Sequence, residues 1–310
     1  DLSEGERQKV QEYEETLESI KEEADFTAND WFWKAKAEYG KGEFGGAIDS
    51  YTKSIELNPE DNISWSNRGL AKKELGLFEE AMEDYNESIR LNPENSAPWS
   101  NRGILKNELR LFEDAIEDFS ESIRLNPENS EAWNGRGSVK ENLKRFGEAI
   151  EDQNESIRLN PENSYAWNNR GMTKCKIERF AEAIEDLNES IRLNPGNHAI
   201  WSNRGFTKNK LGKFEEAIED LNESIRLNPE LENAYAHRAY SYLMLENLKQ
   251  AVKDNEKAIE LNLEYDRPYF NLGLICQKQG KVKEACEAWQ KALELGFKEA
   301  EDKLKEFCKE

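Results

Sequence analysis

One aromatic residue every 34 positions governs what this chain can fold into. Trp31, Trp65, Trp99, Trp133, Trp167, Trp201, Tyr235 and Tyr269 keep that step without a slip. Ala47, Ala81, Ala115, Ala149, Ala183, Ala217, Ala251 and Ala285 keep it too. So do Pro59, Pro93, Pro127, Pro161, Pro195 and Pro229, with Leu263 and Phe297 in the last two slots. Such a period marks a chain built by stacking one small unit, each copy too short to bury a core alone. Counted from three residues before each aromatic, the copies run 28–61, 62–95, 96–129, 130–163, 164–197, 198–231, 232–265 and 266–299.

Each copy reads as two helices. Apolar or small residues at repeat positions 4, 8 and 14 have helical spacing, and so does the second half, as in Phe78, Ala81, Ile89 and Leu91. The recurring segment LNPENS should stop the second helix. Its first Asn suits a left-handed C-cap and Pro cannot continue a helix, after which Asn or Ser caps the next helix. Gly at position 8 (Gly69, Gly103, Gly137, Gly171, Gly205) facing Ala at position 20 permits close helix crossing.

Aromatic-4, Gly-8, Ala-20 and Pro-32 in register resemble the tetratricopeptide repeat (TPR) family over residues 28–299. The resemblance implies an all-α fold: a right-handed superhelical α-solenoid of helical hairpins, helix A of each lining a concave groove. Such stacks need polar caps. Residues 300–310, around Ala300, Leu304 and Phe307, read as a solvating C-terminal helix. Residues 1–27 read as an acidic capping helix with an apolar stripe at Val10, Tyr13, Leu17 and Ile20. That stripe is about two heptads long, short for a coiled coil. Self-association through it, or through stacked ends, is the alternative.

The sequence departs from the family at position 7, which is Arg in six copies: Arg68, Arg102, Arg136, Arg170, Arg204 and Arg238. Position 23 is Asp in the same six (Asp84, Asp118, Asp152, Asp186, Asp220, Asp254), whereas the eighth copy has Leu272 and Ala288. Members that switch together predict a salt bridge between helices A and B. By the same reasoning Lys72, Lys106, Lys140, Lys174 and Lys208 at position 11 are matched with Glu87, Glu121, Glu155, Glu189 and Glu223 at position 26, and Glu38 with Lys53 in the first copy. The NES triplets at Asn86, Asn154, Asn188 and Asn222 fit the glycosylation pattern, but lie inside a helix and are copied with the repeat.

The helix-A face opposite the core is not the Glu/Lys surface of an idle helix. Position 6 is Asn67, Asn101, Asn169, Asn203 and Asn271, interrupted by Gly135 and His237, with Trp33 in the first copy. Position 5 adds Ser66, Ser100, Asn134, Asn168 and Ser202. Position 9 is apolar at Leu70, Ile104, Met172, Phe206, Tyr240 and Leu274, with Ser138 the interior exception. A carboxamide matches both groups of a peptide backbone. The row resembles the asparagine ladder in the TPR groove of O-GlcNAc transferase, which implies a grip on peptide backbone. Five such contacts at ~0.5–1.5 kcal/mol each are modest, so the position-9 row must contribute. Position 13 runs Glu74, Glu108, Asn142, Lys176, Lys210, Met244, Lys278, which suits a ligand with its acidic end toward the later copies. The chaperone carboxylate clamp, with Lys at position 2 and Arg at position 6, is not matched. Only Arg267 is basic at position 2.

Charge narrows the partners. With 64 acidic and 43 basic residues the net charge is −21, which disfavours phosphate backbones, anionic membranes and kinship with basic RNA-binding TPR proteins. No apolar run approaches the roughly 20 residues of a membrane span. Cys175, Cys276, Cys286 and Cys308 lack metal-ligand spacing and read as free cytosolic thiols, so no metal or cofactor is expected and the cytoplasm is the expected location. His198 and His237 have no repeated nucleophile beside them, so no catalysis is expected. The chain begins at Asp1, so its true start is expected upstream, whereas Gly296 and the closing helix read as the end of the array. These features point to a non-enzymatic protein–protein interaction scaffold that binds an extended peptide. The alternatives are the recognition arm of a larger enzyme or sensor, or a self-assembling scaffold.

Overall fold

Between the two helices of every copy the chain must reverse within a few residues, and one backbone motif does it throughout. The second residue of each connection is left-handed: Gly42, Gly76, Arg110, Lys144, Glu178, Gly212, Glu246 and Gly280 all have positive φ. Around it the Leu77 N–H donates to the Lys72 carbonyl (3.0 Å) and the Gly76 N–H to that of Lys73 (2.9 Å). This is a Schellman closure that satisfies helix-end carbonyls. The computed structural model describes residues 23–308 together with Lys9 and Gln11. The stripe of Val10, Tyr13, Leu17 and Ile20 lies outside the described residues.

From Ala28 to Phe307 the described residues form seventeen α-helices and no strand. They divide into two units, at Leu159 and Asn160. The first holds four hairpins: α1 (Ala28–Gly40) with α2 (Phe44–Leu57), α3 (Asn62–Glu74) with α4 (Phe78–Leu91), α5 (Ser96–Glu108) with α6 (Phe112–Leu125), and α7 (Ser130–Asn142) with α8 (Phe146–Leu159). The second holds α9 (Ser164–Lys176) with α10 (Phe180–Leu193), α11 (His198–Lys210) with α12 (Phe214–Leu227), α13 (Glu232–Met244) with α14 (Leu248–Leu261), and α15 (Asp266–Lys278) with α16 (Val282–Glu294). The short α17 (Ala300–Phe307) follows.

Within a unit, each hairpin's second helix is roofed by the next hairpin's first. Ala81 and Tyr85 of α4 pack with Leu105 of α5, and Ala115 and Phe119 of α6 with Ala132 and Val139 of α7. In the second unit Leu187 and Ile191 of α10 meet Ile200 of α11, and Ala217 and Leu221 of α12 meet Ala234 of α13. Consecutive A helices also touch one another (α3 with α5, α5 with α7, α11 with α13, α13 with α15), while no pair of consecutive B helices comes as close. The closer-spaced row of a curved stack is its inner one, so in each unit the A helices line the concave side.

One of the two capping expectations changes. The LNPENS asparagine is not left-handed: Asn92 has φ −144° and ψ 88°, and Asn58, Asn126, Asn194 and Asn228 are equally extended. The left-handed turn sits at the other end of the hairpin instead. The later Asn does act as an N-cap, since Asn95, Asn163 and Asn197 accept from N–H groups two residues on.

The free-thiol expectation is also corrected. Cys286 of α16 and Cys308 after α17 form a disulfide, and only Cys175 and Cys276 are free and buried. The argument for the cytoplasm from four free cysteines therefore falls away. Closing this loop of 22 residues' separation contributes about 3 kcal/mol in the chain-entropy account. The bond pins α17 over Trp289, Phe297 and Ala300, with Leu304 and Phe307 packed against them.

Left-handed φ strains a residue that carries a Cβ by ~1–2 kcal/mol, which Gly avoids at some entropic cost. Lys144→Gly should therefore raise the denaturant midpoint, stabilising the first unit by about 1 kcal/mol. A lower midpoint would contradict this account of the turns.

Candidate peptide-binding face

In the six hairpins that carry it, the arginine at position 7 first of all holds the hairpin together, facing helix B. Arg102 shows the pattern. Its Nε and Nη2 donate to both carboxylate oxygens of Asp118 (2.8 and 2.7 Å), and its Nη1 donates to Asn86 Oδ1 of the preceding hairpin (2.6 Å). Its guanidinium lies 4.9 Å from the Trp99 ring centroid. The Trp99 indole in turn donates to the Pro93 carbonyl of the preceding turn (3.1 Å). Arg68–Asp84, Arg136–Asp152, Arg170–Asp186, Arg204–Asp220 and Arg238–Asp254 repeat the pair. The Asp side chains are only 2–4 % exposed.

Sequence reasoning misassigned the lysines. Lys72, Lys106, Lys140, Lys174 and Lys208 close on the same aspartates, at 3.0, 2.8, 2.7, 2.8 and 2.8 Å. Glu87, Glu121, Glu155, Glu189 and Glu223 instead pair with Arg90, Arg124, Arg158, Arg192 and Arg226 one turn along their own helix. Geometry decides it: position 26 lies three residues from position 23, nearly a full turn farther along the same helix. In the first copy Glu38 takes the Ser50 hydroxyl (2.7 Å), while Lys53 lies over the Trp31 ring (4.2 Å).

The NES asparagines also have a structural use: Asn86, Asn188 and Asn222 accept from Arg102, Arg204 and Arg238 of the following hairpin. Thr52 and Ser120 do the same for Arg68 and Arg136. The sequence carries this signal, because position 25 is a polar acceptor in every copy: Thr52, Asn86, Ser120, Asn154, Asn188, Asn222, Glu256 and Gln290.

The position-6 asparagines face backward along the stack. Asn101 Nδ2 approaches Ser66 Oγ (3.4 Å), Asn203 Nδ2 donates to Asn168 Oδ1 (2.9 Å), and Asn67 reaches the Tyr51 hydroxyl. Asn168 in turn donates to Asn169 Oδ1 (3.3 Å). Asn271 is only 1 % exposed and donates to the Ala236 carbonyl (2.9 Å), so it does not present its amide to the concave surface. Asn134, predicted beside this row, is partly buried. The interruption at Gly135 has a steric cause: a Cβ there would come within 2.5 Å of the Phe119 ring of the preceding hairpin.

Leu70, Ile104, Met172, Phe206, Tyr240 and Leu274 are all partly buried, neither core nor fully exposed. Lys176 and Lys210 are exposed, whereas Lys278 pairs with Glu246 (3.1 Å). The second unit also contains a cavity of about 230 Å³. Phe206, Lys210, His237, Arg267, Phe270 and Phe297 line it, a grouping the sequence reading did not assemble because its members occupy five different repeat positions plus the closing turn. The His237 and Phe206 ring centroids are 4.8 Å apart. Burial, with the charges of Arg267 and Lys210, drives the His237 pKa down to about 3.

Comparison with known proteins agrees with this architecture. Tetratricopeptide repeat models match residues 31–61, 63–95, 102–164, 164–197, 198–231 and 267–296, and the chain belongs to the TPR family. No curated protein matches it in sequence. Among solved structures it is similar to a chain of the APC/C hetero-tetramer Cut9–Hcn1, with a TM-score of 0.71 and 18 % identity over 96 % of this chain. It spans 58 % of that chain's length. It is also similar to pilF of Pseudomonas aeruginosa, with a TM-score of 0.60 and 16 % identity over 67 % of this chain and 94 % of that one. Repeats of this family are generally non-catalytic interaction scaffolds. Among the described residues no helix is long and apolar enough to cross a membrane, and no cluster of His, Cys, Asp and Glu could hold a metal ion.

The depressed pKa of His237 sets a pH dependence. The unfolded chain takes the proton first, so the stability tied to neutral His237 is complete above the ordinary value of 6.5 and is lost as pH falls from there toward 3. The imidazole C2 proton of His237 should show no NMR titration step between pH 8 and pH 5. A midpoint near 6.5 would contradict the geometry of this cavity.

Proposed function

We propose that the protein is a non-catalytic scaffold that holds an extended segment of a protein partner on its concave helix-A faces. The observation that carries this reading is the position-9 row. Leu70 in the first unit, and Met172, Phe206 and Tyr240 in the second, remain only partly buried on helix A. Apolar side chains beside carboxamides make a surface that suits a peptide, alternating backbone contacts with side-chain contacts.

Asn67, Asn101, Asn169 and Asn203 are the amides for the grip. One inter-hairpin bond leaves a carboxamide a second N–H and further acceptor capacity. Asn134 and Asn168 flank them, and Lys176 and Lys210 favour acidic residues at one end. Two such contacts per unit contribute roughly 1–3 kcal/mol, short of the ~4 kcal/mol of millimolar binding. The apolar row must therefore provide much of the affinity. Asn271 is left out because it is buried, and Ile104 and Leu274 because each packs against a core cluster.

A lysate pull-down with the full chain tests this by comparing wild type, Asn101→Ala/Asn203→Ala and Leu70→Ser/Met172→Ser, each first matched for helicity. The expected result is a set of partners held by wild type and lost from both variants, but retained by Arg124→Ala on the outer helices. An identical partner set for all four proteins would overturn the concave-face reading.

A further inference from the structure

The cavity of the second unit brings together two cations that make no ion pair among the described residues. Every Arg at position 7 lies between a Trp or Tyr ring and a buried Asp, and those at position 29 pair with a Glu on their own helix. Arg267 is partly buried as well, yet pairs with no carboxylate among the described residues. Its guanidinium sits 5.5 Å from the Phe206 centroid and 5.3 Å from that of Phe297, and its polar neighbour is the Tyr265 hydroxyl. Lys210 approaches the same Phe206 ring at 5.6 Å and also has no ion pair among the described residues. Glu299 lines the cavity, but it is exposed and not in ion-pair contact with either cation. In a chain with 64 acidic residues against 43 basic ones, two cations converge on one aromatic pocket and neither is paired with its carboxylate, Glu299.

Size and walls define what would complete the site. A volume of about 230 Å³ is below the range of about 300–1,000 Å³ that takes a drug-sized ligand, and is of the order of one side chain. Phe206, Phe270 and Phe297 supply apolar walls, and Asn209 and Ser241 fix the neighbouring turn of α13 by donating to the His237 carbonyl (2.9 and 3.1 Å). His237, held neutral, adds no positive charge of its own and stacks on Phe206 as a further wall.

We propose that this pocket receives one internal acidic side chain of the partner's extended segment. Its Asp or Glu carboxylate bridges Arg267 and Lys210, with the side-chain stem against the walls of Phe206 and Phe297. The inference rests on the concave-face reading above and adds the sequence class that the second unit selects. Arg267 is the primary contact, because a guanidinium stacked on two rings still presents its N–H edge to a carboxylate.

The test uses a bead-displayed library of random dodecapeptides, C-terminally amidated and sorted with the labelled full chain. The most enriched peptide is then titrated by fluorescence polarisation. Enrichment of Asp or Glu at one internal position is expected. Arg267→Gln, or Asp→Asn in the peptide, should weaken binding by about tenfold, the scale of one charge-assisted hydrogen bond. Lys210→Gln should weaken it less, and Lys278→Gln, on the same helix as Arg267, should leave it unchanged. Enrichment without acidic residues, equal affinity for Arg267→Gln, or binding that requires a free C-terminal carboxylate would overturn the proposal. If peptides enrich and are lost with Asn101→Ala/Asn203→Ala but ignore Arg267→Gln, the pocket fails and the concave-face reading stands. If nothing enriches, both fail.

Discussion

A buried aspartate clasped by an arginine and a lysine from the facing helix is the interaction on which the hairpins depend. Taking a carboxylate out of water is costly, and the cost is offset only when its partners are close and its lone pairs are filled. Five of the six position-23 aspartates meet both conditions, receiving two guanidinium N–H groups and an ammonium, as Asp118 does, while Asp254 is held by Arg238 alone. The arginine then carries the tie further. Its third N–H reaches the preceding hairpin, and its face rests on the Trp whose indole holds the preceding turn. Five ordinary groups thus fix helix A to helix B, and one hairpin to the hairpin before it.

This economy explains why so much of the fold is legible in the sequence. The 34-residue step, Gly-8 against Ala-20 and the joint switch of Arg-7 with Asp-23 each reflect a contact that must recur in every copy. The errors arose where several partners satisfy the same pattern. Lys-11 travels with both Asp-23 and Glu-26, and in near-identical copies sequence alone could not separate them. The disulfide was missed because Cys286 and Cys308 fall outside the repeat pattern, so no periodicity pairs them. Left-handed turns escaped notice because Arg110, Lys144, Glu178 and Glu246 occupy positions where Gly would have signalled them.

The candidate site was legible as residue types but not as orientation. The Asn-6 row reads as a ladder, yet Asn101, Asn203 and Asn271 turn an amide N–H to the preceding hairpin, and Asn271 is fully enclosed. Recurrence therefore identifies structural function first. Specific function is best sought where the recurrence fails, as at His237 in place of Asn, Arg267 at position 2 and the closing turn at Phe297. These exceptions converge on one cavity, while the regular positions hold the stack in register.

The central claim is that a position-23 Asp is an obligatory tie rather than a decorative pair. Native-state hydrogen exchange of the third hairpin, α5 and α6, tests it directly, since repeat stacks open locally and a single global midpoint would blur the effect. Compared with wild type, Asp118→Leu strands Arg102 and Lys106, and the opening free energy of that hairpin should fall by about 3–5 kcal/mol. Much of this should return when Arg102→Leu and Lys106→Met are added. A fall of less than about 1 kcal/mol, the scale of an exposed ion pair, would contradict the account.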